Sequence, residues 1–274
     1  MRRSIHGVRL CMVPLSRAIV LVAFALGSAG TQADPWLAPG NLTLRHDLEL
    51  LADAGIIRTP MTSWPISWPD VARDVNAQTV APERSADIEQ ALARVRRAAR
   101  AAASAGFSGL AFTAAAAAEP IRLRSFADTP REEGEFGVGA SWLGERWAAA
   151  VRLTAVANPA DDRRLRADGS YIGVSLANFM ISFGATERWW GPGWDSSLIL
   201  STNARPIPGF TIERNYSDAS TWPVLRWFGP WRASIAVGQT EGSDVAVADT
   251  RVLAARVAFK PRPWLELGLS RTAQ

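Results

Sequence analysis

The sequence has few of the residues on which metal sites and acid–base catalysis most often depend. Its 274 residues include one cysteine, two histidines and two tyrosines. Cys11 and His6 both fall within the first 33 residues, so His46 is the histidine of the remaining chain. Residues 34–274 therefore offer no disulfide, thiolate nucleophile or histidine dyad, and we expect no cofactor, metal site or catalytic residue.

The formal net charge of +4 comes entirely from the start of the chain. Residues 1–33 contain four arginines and no acidic residue, so the remaining chain has 26 basic side chains against 26 acidic ones. A nucleic-acid-binding domain usually presents a strong basic excess, which this sequence lacks. We therefore expect no nucleic-acid partner.

Residues 1–33 have the organisation of a secretory signal peptide. A basic start precedes a short apolar run, Ala18 to Leu26, and small residues lead up to Ala33. The run is far shorter than the roughly 20 residues of a membrane-spanning helix, which argues against the alternative of an N-terminal anchor helix. Cleavage is predicted after Ala33, and the protein is expected to be exported.

Residues 34–105 are expected to form a small helical region. Leucines recur at helical spacing before Gly55, which is a suitable stop for a first helix. Ser67 and Ser85 each precede a further predicted helix, with Pro69 in the first turn of the shorter one. The last helix carries several arginines, which either contact an anionic partner or form a solvated face.

From about Phe107 the hydrophobic period changes to two, which is typical of strands with one apolar face. The opposite face carries small residues with occasional arginine or glutamate. Lipid outside and a polar lumen inside would produce this pattern, so residues 106–274 predict an antiparallel transmembrane β-barrel. A large soluble β-sandwich or solenoid is the alternative, because alternation alone does not separate the two. The apolar positions are Trp147-Ala149-Val151-Leu153-Ala155, Ile172-Val174-Leu176, Phe179-Ile181-Phe183-Ala185, Leu253-Ala255-Val257-Phe259 and Leu265-Leu267-Leu269.

Four tryptophans, Trp142, Trp147, Trp231 and Trp264, fall near predicted strand ends, where the aromatic girdles of membrane barrels lie. The pattern yields roughly ten or eleven strands. The last residues, 270–274, are polar and fall in or just after a strand. Because an open sheet edge is not tolerated in lipid, the barrel is predicted to be incomplete in this chain. The expected fold class is thus mainly β with a small helical N-terminal region.

One segment between two predicted strands, Glu187–Asn215, has an unusual composition, ERWWGPGWDSSLILSTNARPIPGFTIERN. We call it the signature segment. Its Gly191-Pro192-Gly193 turn cannot lie inside a helix and is surrounded by three tryptophans. Such a loop suits stacking on the flat faces of sugars. The same aromatic residues could instead pack together and plug or brace a barrel.

The stretch RWWGPGWDSSLILSTNARPIPGF within this segment resembles the signature of Wzi-type capsule assembly proteins. A second patch, Leu42 to Leu51 followed by Trp64-Pro65 and Trp68-Pro69, also resembles the N-terminal region of that family. The resemblance implies an outer-membrane β-barrel that binds capsular or exported polysaccharide and holds it on the cell surface without catalysis. It also implies a helical periplasmic region, outer-membrane lipid as a partner and export machinery as a further candidate. A self-contained barrel is expected to be a monomer.

Aromatic, charged and amide side chains of the signature segment are the predicted sugar-binding groups, through stacking or through hydrogen bonds to hydroxyls and uronate carboxylates. These candidates are Arg188, Trp189, Trp190, Trp194, Asp195, Asn203 and Arg205. Two other functions are alternatives to polysaccharide binding. One is a porin-like diffusion channel, and the other is that of a hydrolase or lipid-modifying barrel enzyme. A glycosidase would need two carboxylates roughly 5–10 Å apart, which the sequence does not locate.

Overall fold

A computed structural model describes residues 33–79, 83–121, 123–197, 199–241 and 249–274 of the chain. The predicted signal peptide, apart from Ala33, lies outside these residues. Among the described residues, no helix is both long and apolar enough to cross a membrane.

Three helices form the N-terminal region: α1 (Leu42–Asp53), α2 (Trp68–Asn76) and α3 (Ala86–Ala102). Asn41 caps α1 by accepting a hydrogen bond from the Leu44 amide, and Ser85 caps α3 in the same way from the Ile88 amide. Gly55 follows α1 with φ +72°, a conformation that favours glycine. Ser67 occupies the N-cap position of α2, but its side chain makes no capping hydrogen bond.

The helices enclose an apolar core in which the side chains are almost inaccessible to water. The largest apolar side chains of the helices that are fully buried in it are Leu48, Leu51, Val71, Val75, Leu92 and Val95. A bidentate ion pair, Arg94 to Asp47 with both contacts at 2.7 Å, joins α3 to α1 at the edge of this core. The first strand of the large sheet begins directly after α3.

Fourteen strands are present among the described residues. Three short ones belong to the helical region, and the two-residue strand at the start of the signature segment pairs with one of them; the remaining ten form a single sheet. They are β1 (Trp36–Leu37), β2 (Ser63–Trp64), β3 (Ile66–Ser67), β4 (Gly106–Ala116), β5 (Gly134–Leu143), β6 (Trp147–Ala157), β7 (Leu165–Arg166), β8 (Tyr171–Leu176), β9 (Phe179–Gly184), β10 (Trp189–Trp190), β11 (Gly209–Arg214), β12 (Trp231–Gln239), β13 (Arg251–Arg262) and β14 (Leu265–Ala273).

The ten-stranded sheet is antiparallel throughout and runs in the order β14-β13-β12-β11-β9-β8-β6-β5-β4, with β7 paired to β6. This up-and-down order, with each strand beside its neighbour in sequence, is that of a barrel wall. Within the described residues β4 and β14 do not pair with each other, so the sheet is open. The prediction of a mainly antiparallel β-fold with a small helical region and an incomplete barrel is confirmed.

Side chains alternate along the strands as the sequence predicts. In β6, Trp147, Val151 and Leu153 are exposed on one face, whereas Ala148 and Ala150 are buried on the other. In β13, Leu253 is exposed while Arg256 and Lys260 are buried. The apolar residues therefore face outward and the charged residues face the lumen, the arrangement of a membrane barrel.

One position departs from the predicted alternation. Ala185 was expected on the apolar outer face, but β9 ends at Gly184 and Ala185 is buried. Its amide donates to the Ser170 carbonyl at 2.9 Å, and its carbonyl accepts from the Gly169 amide at 2.8 Å. The chain thus turns inward here and leads into the signature segment.

The two ends of the sheet differ. The helical end is where β4 starts, immediately after α3, and it includes the short β5–β6, β8–β9 and β13–β14 turns and one longer connection, 215–230, between β11 and β12. The loop end carries the connections 117–133, 158–164, 185–208 and 240–250. Membrane barrels of bacteria have short turns at one side and long loops at the other. One of these long connections, 185–208, contains most of the signature segment.

Candidate functional site

The signature segment enters the lumen and pairs with the helical region. Its strand β10 is antiparallel to β2, with Trp189 opposite Trp64 and Trp190 opposite Ser63. The Gly191 amide extends the pairing by donating to the Thr62 carbonyl at 3.0 Å. The segment is therefore an integral part of the structure that fills the barrel.

Trp189 and Trp190 are buried, with 0% and 3% of their surface exposed. Trp189 belongs to the same core as the three helices, packs edge-on against Phe126 at 5.5 Å and donates from Nε1 to the Gly193 carbonyl at 2.9 Å. A sugar needs an open aromatic face for stacking, which neither ring offers. Their burial favours the packing alternative for these two residues over stacking on sugar.

Arg45 of α1 holds the Gly-Pro-Gly turn. Its guanidinium donates to the Pro192 carbonyl at 2.7 Å and to the Gly193 carbonyl at 3.1 Å. The same group lies over the Trp194 ring, 4.6 Å from its centre. Trp194 is half-buried and donates to the Glu49 carboxylate at 3.1 Å, while Asp195 is exposed. Arg45 thus fixes the turn, and Trp194 and Asp195 keep accessible surface.

Charged residues on the lumen side of β12 and β13 bind the chain between α1 and α2. Arg232 donates to the Ser63 carbonyl at 2.6 Å and to the Pro65 carbonyl at 2.7 Å, and Lys260 donates to the Ile57 carbonyl at 3.3 Å. These buried bonds satisfy backbone oxygens that would otherwise lack partners inside the barrel. We call residues 57–67 together with 189–194 the plug, because they occupy the lumen beside strands β11–β14.

The remaining candidates in the signature segment bind other parts of the protein. Arg188 donates to the Thr211 hydroxyl at 2.5 Å and to the Thr186 carbonyl at 3.0 Å. The Asn203 side chain accepts from the Arg124 amide at 2.6 Å. The seven predicted residues therefore do not form one cluster, and most of their polar atoms already have partners within the chain.

Arg205 lies at the centre of an ionic cluster at the loop end. It makes two contacts with Asp168, at 2.7 and 2.9 Å, and one each with Asp161 at 3.0 Å and Glu241 at 3.1 Å. Although burial opposes its charge, Asp161 has a pKa below its ordinary value because Arg166 and Arg205 stabilise the ionised carboxylate. The cluster joins the 158–170, 185–208 and 240–250 connections.

A cavity of about 580 Å³ lies between the loop-end halves of β4–β8 and the segment that leads into β1. This volume is within the range of small-ligand sites. Two aromatic residues in its wall, Trp36 and Tyr171, meet edge to face at 5.0 Å. The charged residues in the wall are Asp34, Arg124, Asp128, Arg131, Glu135, Arg152, Arg166, Asp168 and Glu187. We call this space the lumen cavity.

Most charges around the lumen cavity are paired. Arg152 donates to Asp34 at 3.1 Å and to the Gly169 carbonyl at 3.0 Å, and Arg131 donates to Glu187 at 2.8 Å. Burial raises the pKa of Asp34, an effect that Arg152 partly counteracts. Because donors and acceptors alternate beside apolar and aromatic walls, the cavity suits a hydroxyl-rich ligand better than a simple anion.

Sequence reasoning did not identify the residues of the lumen cavity. Arg124 and Arg131 lie in the β4–β5 connection, outside any recognised motif, and Trp36 lies next to the predicted signal peptide. One signal was available: Arg152 falls on the lumen side of the predicted alternation in β6. Of the described residues, no group of three or more His, Cys, Asp or Glu is placed to hold a metal ion.

The fold and this cavity together define a class of protein: an antiparallel barrel wall with an apolar exterior, a filled lumen and a polar, aromatic cavity beneath long loops. Residues 108–274 match the family model described as capsule assembly protein Wzi. The chain belongs to this family. The prediction made from the signature segment is thereby confirmed.

A relative from Klebsiella pneumoniae is described as an uncharacterized 55.8 kDa protein in the cps region. It is 31% identical over 267 residues, which cover 96% of this chain and 51% of the relative. A solved structure with TM-score 0.76 and 28% identity covers 86% of this chain and 52% of that protein. It is Wzi of Escherichia coli, described as an outer-membrane protein involved in group 1 capsule assembly and a carbohydrate-binding β-barrel. The chain thus spans about half the length of both proteins.

Proposed function

We propose that this protein is located in the outer membrane, binds capsular or exported polysaccharide and keeps it attached to the cell surface without catalysis. Family membership and the description of the E. coli relative as a carbohydrate-binding β-barrel support this role. The observation in this chain that carries the proposal is the lumen cavity of about 580 Å³, with its paired charges and aromatic wall.

We place the sugar-binding groups in the lumen cavity rather than across the whole signature segment. Arg131 and Arg152 provide guanidinium groups at its surface, and Asp168 and Glu187 provide carboxylates. Paired carboxylates and guanidiniums can bind sugar hydroxyls as donors and acceptors at once, and a guanidinium can also bind a uronate. Trp194 and Asp195 remain candidates for a second contact, because both keep accessible surface.

A porin-like diffusion channel is supported less well. The plug crosses the lumen beside β11–β14, and buried charged residues of the wall hold it at three carbonyl groups and at the Ser63 hydroxyl. An open pore requires a water-filled lumen, whereas this part of the lumen is filled by tryptophan side chains and backbone. The plug therefore favours a binding role over free diffusion.

The binding test uses the intact purified protein and capsular polysaccharide from its own strain. Arg152→Gln removes a charged group from the lumen cavity, whereas Arg163→Gln removes a loop-end arginine that does not line it. Loss of a charge-assisted hydrogen bond of about 1.5–3 kcal/mol predicts roughly tenfold or greater weakening for Arg152→Gln. If Arg152→Gln bound the polysaccharide as tightly as the unaltered protein, the lumen cavity would not be the binding site. If the unaltered protein bound no polysaccharide, the proposed function itself would be contradicted.

A further inference from the structure

A group of exposed apolar residues lies at the helical end, in the connection between β11 and β12. All residues from 221 to 228 are exposed, and five of them are large and apolar: Trp222, Val224, Leu225, Trp227 and Phe228. Trp222, Val224 and Trp227 are 71%, 74% and 72% exposed. A contiguous apolar patch of this kind normally marks an interaction site. We call residues 221–228 the aromatic patch.

The aromatic patch is held in a defined conformation. Leu225–Phe228 form a 3-10 helix, which the Gly229 amide closes by donating to the Arg226 carbonyl at 3.2 Å, and the Arg226 amide also donates to the Trp222 carbonyl ahead of the helix at 2.9 Å. The base of the connection is closed by the Trp231 amide, which donates to the Ser217 carbonyl at 2.8 Å. An ion pair between Asp218 and Arg73, also at 2.8 Å, joins this base to α2. The exposed side chains are thus presented by an ordered turn.

The patch is continuous with the outward-facing surface of the barrel wall. The Phe228 ring contacts that of Phe259 at 5.2 Å, and Phe259 belongs to the apolar outer face of β13. Trp142, Trp147 and Trp264 are exposed at the same helical end. The edge strands of the open sheet are β4 and β14. A further strand would pair with one of them in the plane of the sheet, so it would not cover the outer surface around Phe259.

The charges near the patch fit a phospholipid surface. Residues 219–230 contain no acidic side chain, and Asp218 is paired with Arg73. Arg226 is exposed within the patch and is free of any acidic neighbour in this stretch of sequence, so it can approach a lipid phosphate. Tryptophan prefers the headgroup level of a bilayer, because its ring is apolar and its N–H is polar.

We propose that the aromatic patch inserts into the headgroup region of the phospholipid leaflet at the helical end, and that it fixes the depth and tilt of the barrel. This inference rests on the proposed membrane location and assigns a lipid-binding surface beyond it. The patch lies outside the lumen and is separate from the lumen cavity.

Single-cysteine reporters in the intact protein test the proposal. Cys11, the sole cysteine of the chain, lies in the predicted signal peptide, so each introduced cysteine is the one thiol of residues 34–274 that can carry an environment-sensitive fluorophore. Val224→Cys reports on the patch, Ile235→Cys on the outer face of β12 and Leu123→Cys on an exposed position at the loop end. The protein is reconstituted in phosphatidylethanolamine–phosphatidylglycerol vesicles with nitroxide quenchers either at the headgroup or deep in the acyl chains.

We expect headgroup nitroxides to quench most of the emission at position 224, deep nitroxides to quench position 235, and neither to quench position 123. A reporter at 224 that stays unquenched while 235 is quenched would overturn the lipid proposal alone. If its emission were also blue-shifted, a protein partner or a second copy would be the occupant. A reporter at 235 that is not quenched would contradict the membrane location itself.

Discussion

Trp189 of the signature segment and Trp64 of the helical region lie directly opposite each other in the antiparallel β2–β10 pair. Both side chains are buried, and the Phe126 ring contacts each of them edge-on, at 5.5 Å and 4.9 Å. Three distant parts of the sequence thus meet in one aromatic cluster. The signature segment, the helical region and the β4–β5 connection are therefore expected to unfold together.

Truncation of Trp189 tests this cooperative packing. Trp189→Ala should lower the free energy of unfolding by about 3–5 kcal/mol, because it opens a cavity in a closed core. Urea unfolding in detergent, followed by circular dichroism, measures the change. Trp264→Ala removes an exposed tryptophan and should change the free energy by about 0.5 kcal/mol or less. Equal losses in the two variants would refute a structural role specific to Trp189.

Removal of the cations that hold the plug should open the lumen. Arg232→Ala with Arg256→Ala breaks four hydrogen bonds to the plug, leaving the Ser63 and Pro65 carbonyls without these donors. We expect measurable ion conductance in planar bilayers, where the unaltered protein shows little. Arg251→Ala, an exposed position on the same strand as Arg256, is the matched control. A double variant as closed as the control would show that the plug does not depend on these contacts.

The ionic cluster around Arg205 predicts a pH dependence. Despite its burial, Asp161 has a lowered pKa because of Arg166 and Arg205, so its contribution to stability is present above its ordinary pKa of 3.8. This contribution should be lost as the pH falls through the lowered pKa. Hydrogen exchange of residues 158–170 is therefore expected to accelerate below about pH 4, where carboxylates begin to protonate.

The same cluster can be broken at neutral pH. Arg205→Gln removes the charge that contacts Asp161, Asp168 and Glu241, so residues 158–170 should exchange faster than in the unaltered protein at pH 7. Arg164→Gln, an exposed arginine in the same connection, should leave exchange unchanged. Identical exchange in the two variants would mean that Arg205 does not order the loop end.

The alternation of side chains made the barrel wall predictable. Outward-facing positions such as Trp147, Val151 and Leu153 are apolar, and they recur at every second or fourth residue of β6. This alternation can be recognised within one strand, without knowledge of its neighbours. Ser85 could be identified as a cap because it stands directly before an amphipathic run. These features depend on neighbours a few residues apart, which is the distance over which a sequence pattern acts.

The site was less predictable because it depends on contacts between distant parts of the chain. A tryptophan that packs and one that binds sugar have the same local signature, and only the pairing of β10 with β2 shows that Trp189 and Trp190 are buried. Arg131 and Arg152 belong to separate elements that the sheet order brings together. Carboxylates such as Asp161 and Asp168 are partners of Arg205 only because two connections meet at the loop end.

The most direct test of the proposed function is the distribution of capsular polysaccharide between cells and culture medium in a strain that lacks the complete gene. The account predicts unchanged total polymer with most of it shifted into the medium, and restoration of the cell-bound fraction by the unaltered gene but not by the Arg152→Gln variant. Polymer that stays on the cells, together with altered uptake of small solutes, would contradict surface attachment and favour a diffusion channel.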